Sequence, residues 1–253
     1  MTIRDETLLK DATEKKAWFG PEILQVPVLD KKACRAYGEA VLSLRQNWIR
    51  RESRAPFFTL GGASYLDAPN GGFPAYATLA ERFNPLLDEH FTLLYRQLID
   101  CLEKALGDPV YFDPRLCRPG FHIYLRDKAF TQDVASVHFD RQHECIDWLG
   151  EADAGDHTVQ TVTLPLMGAE NGSGIRFWDM KSEREGQMAP VVRMLLMGAA
   201  ESIVCPYQDG TAFLHSGQNL HQAVLMDDIE SGGPRITLQG HLFRTRRGWC
   251  LYW

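Results

Sequence analysis

The sequence predicts a mainly β fold, a sandwich or barrel, with helices confined to its first third. Three observations carry this. From about residue 110 onward, short β-rich runs recur between turns built from Gly, Pro and Asp, at the density expected of a sandwich or barrel. Before that point, apolar residues recur at helical spacing instead. No internal repeat, low-complexity stretch or linker divides the 253 residues. Residues 1–253 therefore read as one domain, with 1–109 as helical support plus an aromatic loop and 110–253 as the β core.

The helical part opens at Asp30, a suitable N-cap for a helix that carries Ala33, Tyr37, Val41, Leu44 and Trp48 on one stripe. A second helix is predicted to start at Asn84-Pro85, a capping residue followed by proline at the first helical position. Its stripe runs through Leu86, Leu87, His90, Phe91, Leu94, Leu98, Leu102 and Ala105 to the stop at Gly107 and Pro109. His90 on that stripe reads as a packed core histidine. Between the two helices, residues 57–73 read as a loop hinged by Gly61, Gly62, Gly71 and Gly72 and carrying Phe57, Phe58, Tyr65 and Phe73. A long loop in a compact domain is often functional, so it is either a lid over a site or a static aromatic plug. The predicted strands are Phe121–Leu125, Ser136–Asp140, Thr158–Leu166, Gly174–Trp178, Val191–Met197, Ser202–Cys205, Thr211–Leu214, Gln222–Met226 and Ile236–Phe243.

Composition excludes several functions. The formal net charge is -6, so there is no electrostatic case for nucleic acid or an anionic membrane as partner. No apolar run approaches the roughly 18 residues of a membrane span, and the polar start Met1–Glu6 lacks the apolar core of a signal peptide. The six cysteines form no Cys-x-x-Cys pair and read as free thiols in a reducing compartment. These features agree with a soluble cytoplasmic enzyme.

The chemistry-bearing positions come in a fixed order: His138-Phe139-Asp140, then His221, then Arg235-Ile236-Thr237. A His-x-acid triplet arises by chance in a chain with 8 His and 33 acidic residues, so the triplet alone carries little. Strand geometry adds to it, because residues i and i+2 share a face. His138 and Asp140 can then reach one metal, and Arg235 and Thr237 can share another patch. Two imidazoles and one carboxylate suit a mononuclear Fe(II) centre with open coordination positions. A guanidinium fork suits a dicarboxylate. His215, six residues before His221, competes for the distal place; His221 is favoured because an apolar strand follows it. His122 and His241 read as structural or pocket-lining.

This order resembles the Fe(II)/2-oxoglutarate-dependent oxygenases, with Arg235 slightly late and Thr237 where Ser is commoner. Thr161–Leu166, Asn171–Phe177 and Asp209–Leu214 resemble the strands and turns that lie between the family's motifs. A hairpin over Asp227–Gly233 would absorb the extra length before Arg235. The resemblance covers about residues 120–245. It implies a double-stranded β-helix, a jelly roll, backed by the helices. It implies Fe(II) held by His138, Asp140 and His221, 2-oxoglutarate held by Arg235 with help from Thr237, and O2 as oxidant. Tyr124 is either a further contact to 2-oxoglutarate or an ordinary strand tyrosine. The implied reaction turns 2-oxoglutarate into succinate and CO2 while a substrate C–H is hydroxylated or otherwise oxidised; a carboxylate at Asp140 argues against halogenation. Candidate substrate contacts are Phe58, Tyr65, Arg141, His143, Trp148, Arg176 and Trp178. A peptidyl hydroxylase and a non-enzymatic jelly-roll binding module are the other readings.

Overall fold

A computed structural model describes residues 22–131, 135–150, 159–182, 189–225 and 233–253. Its elements in order are β1 (Leu24–Pro27), α1 (Lys31–Ser43), β2 (Ile49–Arg50), β3 (Phe57–Leu60), α2 (Ser64–Leu106), β4 (Val110–Tyr111) and β5 (Gly120–Tyr124). There follow β6 (Val159–Met167), β7 (Gly174–Lys181), α3 (Pro190–Ala199), β8 (Ser202–Pro206), β9 (Thr211–His215), β10 (Asn219–Val224), β11 (Arg235–Thr245) and β12 (Gly248–Tyr252).

Two sheets form the jelly roll. The larger runs β1-β9-β6-β11-β5-β3-β2, with β12 beside the second half of β11 and β4 beside β12. The smaller runs β10-β7-β8. All pairings are antiparallel except β12 with β4.

The period of two along the large sheet decides where the chemistry lies. One face carries Phe58, Leu60, Phe121, Ile123, Val162, Leu164, Leu166, Ala212, Leu214, Ile236, Leu238 and Leu242. All of these join one hydrophobic core with Leu87, Phe91, Leu94, Leu98 and Leu102 of α2 and Val41 of α1. The alternate residues, Phe57, His122, Tyr124, Thr161, Thr163, His215, Arg235, Gln239 and His241, line a cavity on the other face. The helices thus supply the apolar layer that one face needs, and the polar residues are left facing the smaller sheet.

The helical region departs from expectation in three ways. Asp30 does cap α1, accepting a hydrogen bond from the Ala33 amide at 2.7 Å. The second helix, however, begins at Ser64, twenty residues before Asn84-Pro85. Asn84 is not a cap: its side chain donates to the Leu116 carbonyl (2.9 Å) and accepts from the Arg118 amide (2.9 Å), tying α2 to the segment before β5. Pro85 sits on the exposed side of α2, where an unanswered carbonyl one turn earlier can meet water. His90 is exposed rather than packed in the core. Residues 57–73 are therefore no loop but β3 and the start of α2. Gly72, at φ 69° and ψ -175°, is non-helical and breaks α2 into two runs; that left-handed φ suits glycine because it has no Cβ.

Val191–Met197, expected as a strand, is the middle of α3. An apolar run without periodicity does not separate strand from helix, and Pro190 occupies the first helical turn. Ser136–Asp140 is not a full strand; it contributes a single bridge, His138 to His221. The expected strands at 121–125, 158–166, 174–178, 202–205, 211–214, 222–226 and 236–243 correspond to β5 to β11 with shifted ends. The Asp227–Gly233 hairpin and the first residues of the chain lie outside the described residues, apart from Gly233 itself. The six cysteines are free. No described helix is long and apolar enough to cross a membrane.

Candidate metal centre and its cavity

His138, Asp140 and His221 offer one ligand atom each within 4.8 Å of one another. His138 reaches the site from the bridge that pairs it with His221: each backbone amide donates to the other's carbonyl at 3.0 Å. The Asp140 amide donates to the Gly217 carbonyl, also at 3.0 Å. The chain therefore fixes all three backbones against the β9–β10 turn and β10 before any metal is considered.

The side chains are oriented as strictly. His138 Nδ1 faces the Ser136 carbonyl at 3.0 Å and His221 Nδ1 faces the Asn219 carbonyl at 2.8 Å. A carbonyl accepts only, so each Nδ1 carries the proton, and each Nε2 is left with its lone pair. Both Nε2 atoms point at Asp140, 3.6 Å from Oδ1 for His138 and 3.4 Å from Oδ2 for His221. This is the backbone-anchored imidazole arrangement that metal-ligating histidines use. The Thr161 hydroxyl donates to Asp140 Oδ2 and also lies 3.3 Å from His241 Nδ1. His241 in turn meets the Gln142 amide. Burial would raise the Asp140 carboxyl, but His221, His241 and His138 outweigh it and hold the group well below the usual carboxylate range. Burial lowers the His221 pKa, against the pull of Asp140. A metal requires an ionised carboxylate and imidazole nitrogens with their lone pairs free.

Gly217 is required by space as well as by its φ of 68°. A Cβ there would stand 2.6 Å from Asp140 Cβ and 2.9 Å from Oδ2.

His215 is not a fourth ligand. Its Nδ1 accepts from the Gly217 amide at 3.1 Å, and its ring stands edge-on to His221 at 4.9 Å. Burial, then the neighbouring His221, pushes its pKa down to about 3.

The trio sits in a cavity of about 610 Å³. Arg235 lines the same cavity and is 1% exposed, yet no acidic group pairs with it among the described residues. Its Nε and Nη1 have no hydrogen-bond acceptor there. The guanidinium lies over the rings of Tyr124 and Tyr207, at 5.0 and 5.7 Å. Burial, partly offset by Arg235, pushes the Tyr124 hydroxyl up to about 12. Tyr124 stacks on Phe57 at 4.5 Å. Thr237 is fully buried, and its hydroxyl accepts from the Gln239 amide at 2.8 Å; Gln239, rather than Thr237, reaches the cavity wall.

Of the seven candidate substrate contacts, only Tyr65 lines the cavity. Its hydroxyl lies 2.5 Å from His122 Nε2. Phe58 points to the helical side and packs on Trp48. Trp148 and His143 stack on Phe243, and Arg141 pairs with Glu144 at the surface. Arg176 lies over Trp178, which is buried beside Phe139, Met180 and Leu220. Sequence reasoning passed over Thr161, Thr163, Tyr207, Phe130 and Trp253, all of which line the cavity. The two threonines had a signal, a polar alternation inside an apolar run. Tyr207, between strands, had none.

No family model matches the sequence, and no curated protein matches it. Solved structures do. The chain resembles an N-substituted L-amino acid dioxygenase from Burkholderia ambifaria AMMD, with 17% identity, a TM-score of 0.53, and coverage of 91% of this chain and 86% of that one. The same dioxygenase in complex with alpha-ketoglutarate matches with 16% identity and a TM-score of 0.50 over the same shares. AviO1 from Streptomyces viridochromogenes Tue57 matches with 13% identity and a TM-score of 0.50, over 90% of this chain and 91% of that one. This chain thus has the jelly-roll fold of a dioxygenase solved with alpha-ketoglutarate, and on it the His-x-Asp and distal His that can hold a metal.

Proposed function

We propose that this protein is a non-haem Fe(II)/2-oxoglutarate-dependent dioxygenase that oxidises an unactivated C–H of a small molecule, working as one domain. The observation that carries the reading is Arg235: a fully buried guanidinium with no acid paired to it among the described residues, in the same cavity as a 2-His-1-carboxylate trio. An isolated buried charge is costly, so the site calls for an anionic ligand, and a dicarboxylate provides one.

The residues fit both groups. His138 Nε2, His221 Nε2 and an oxygen of Asp140 would hold Fe(II), which suits a facial set of two imidazoles and one carboxylate. Bound there, the iron supplies the O2 chemistry that couples decarboxylation of 2-oxoglutarate to C–H oxidation. The chain's own part is binding, orientation and exclusion of water. Arg235 would take the distal carboxylate of 2-oxoglutarate as a fork, with Tyr124 and Tyr207 confining the guanidinium between their rings. Thr161 holds the Asp140 carboxylate in one rotamer. Phe57, Tyr65 and Phe130 give the cavity an apolar wall, which would limit water at the reacting centre once substrate is bound. Tyr65 is the candidate substrate contact that keeps its place in this reading; Arg141, His143, Trp148, Arg176, Trp178 and Phe58 act through packing or at the surface instead.

The test is turnover. Purified protein given Fe(II), ascorbate and 2-oxoglutarate in air should release succinate, and chelation of the iron should stop it. No succinate above a metal-free control would sink the reading.

A further inference from the structure

His215 is the cavity residue that neither the metal trio nor the anchor at Arg235 uses. It closes β9, is 3% exposed and lines the cavity beside His221. The backbone fixes its tautomer. Because Nδ1 accepts the Gly217 N–H at 3.1 Å, that nitrogen carries no proton, and the neutral ring must hold its proton on Nε2. Nε2–H has no acceptor among the described residues. A buried donor left unanswered is unfavourable, and a protonated nitrogen cannot bind a metal. His215 is thus built to donate one hydrogen bond to something the described residues do not provide.

The topology says where that acceptor lies. β6 runs between β11, which bears Arg235, and β9, which bears His215. Thr161 pairs with His215 in the sheet, and its hydroxyl meets Asp140. Thr163 lies two residues nearer the Arg235 end and donates to Gln239 Oε1 at 3.0 Å; Tyr207, over whose ring Arg235 sits, lines the same cavity. Arg235 starts β11 four residues before Gln239, the sheet partner of Thr163, and lines the same cavity as Thr163, Thr161 and the trio. A ligand held at Arg235 with its body along Thr163 and Thr161 brings its other end towards the metal trio and His215.

We infer that His215 Nε2–H donates to an oxygen of the 2-oxo-acid end of the co-substrate, so that the protein holds 2-oxoglutarate by hydrogen-bonding groups at both ends. The inference rests on the assignment of 2-oxoglutarate above. His215 then selects for the keto-acid end, as Arg235 selects for the distal carboxylate.

Calorimetric titration of 2-oxoglutarate into the anaerobic Fe(II) protein tests this without turnover. His215→Phe keeps a flat ring and removes the donor; its affinity for 2-oxoglutarate should fall about tenfold, the weight of one hydrogen bond to a charged group. His215→Gln restores an N–H and should recover part of the loss. Fe(II) affinity should fall less than 2-oxoglutarate affinity in both variants and should not be lost, since the three ligand residues are untouched. A second measurement needs no variant. In wild-type protein with ¹⁵N-labelled histidine and diamagnetic Zn(II) in place of iron, the His215 Nε2–H resonance should move downfield when 2-oxoglutarate is added. An unchanged affinity in His215→Phe, an unmoved resonance, or loss of Fe(II) binding in either variant would overturn the role given to His215. If the wild type itself binds no 2-oxoglutarate, the co-substrate assignment falls, and this inference with it.

Discussion

The two ends of the cavity are finished to different degrees. At the metal end the protein answers its own polar atoms: carbonyls of Ser136 and Asn219 take the two Nδ1 protons, and Thr161 holds Asp140. At the other end it does not. Arg235 Nε and Nη1 are buried there without acceptors among the described residues, and so, beside the trio, is His215 Nε2. The first pattern belongs to groups whose geometry must be set before a ligand arrives, and a metal site needs that setting. The second belongs to groups whose partner is the ligand. The contrast supports the proposal that the trio takes the iron while Arg235 and His215 take the organic co-substrate.

Four substitutions break or sharpen this contrast. The largest effect is expected at the finished end. His221→Ala removes a ligand and should weaken Co(II) or Fe(II) binding by more than the roughly 100-fold seen for outer groups, whereas His215→Ala should leave metal binding intact. Calorimetry with either metal separates them, and a reversed result would exchange the two histidines. Next comes Arg235→Ala, which should lower 2-oxoglutarate affinity by at least ~30-fold, since a lost buried charge contact costs about 2–5 kcal/mol. The ligand-free protein should melt no lower, because an uncompensated buried charge goes with it; a large drop in melting temperature would mean that Arg235 already has a protein partner. Thr161→Val, which keeps the shape and removes the donor to Asp140, should cost metal affinity about tenfold, the lower part of the range for such groups. Normal metal affinity in that variant would show that Asp140 needs no orientation.

The smallest pair concerns the wall. Tyr65→Phe should change the ratio of succinate to oxidised product with little change in melting, because its hydroxyl faces the cavity at His122. Phe58→Ala should do the reverse. It should destabilise by about 1–3 kcal/mol and leave that ratio alone, because Phe58 packs on Trp48 behind the sheet. Altered coupling in Phe58→Ala would revive a lid formed by residues 57–73.

The same pair shows what the sequence could and could not reveal. The strands from β5 to β11 were legible because turn residues bound them. The trio was legible because its order and residue types are chemically restrictive. Facing was harder. Phe57 and Phe58 are identical in type, and only the pairing of β3 with β5 decides which one meets the cavity. Trp148 and Trp178 looked like pocket aromatics, yet each found a buried apolar cluster of its own. The start of α2 was hidden by Gly61, Gly62, Gly71, Gly72 and Pro74, which read as loop punctuation although α2 begins at Ser64, between the two glycine pairs. His90 lay at the flank of that stripe: Leu87, Phe91, Leu94 and Leu98 take its buried centre, and His90 is left exposed beside them.

The central claim is that one cavity binds Fe(II) at the trio and 2-oxoglutarate between the trio and Arg235. Anaerobic titration tests it most directly. Adding 2-oxoglutarate to the wild-type Fe(II) protein should produce a weak, saturable charge-transfer band in the visible, absent with either component alone and shifted to far higher ligand concentration in Arg235→Ala. A wild-type protein that binds Fe(II) and shows no such band at saturating 2-oxoglutarate would contradict the account.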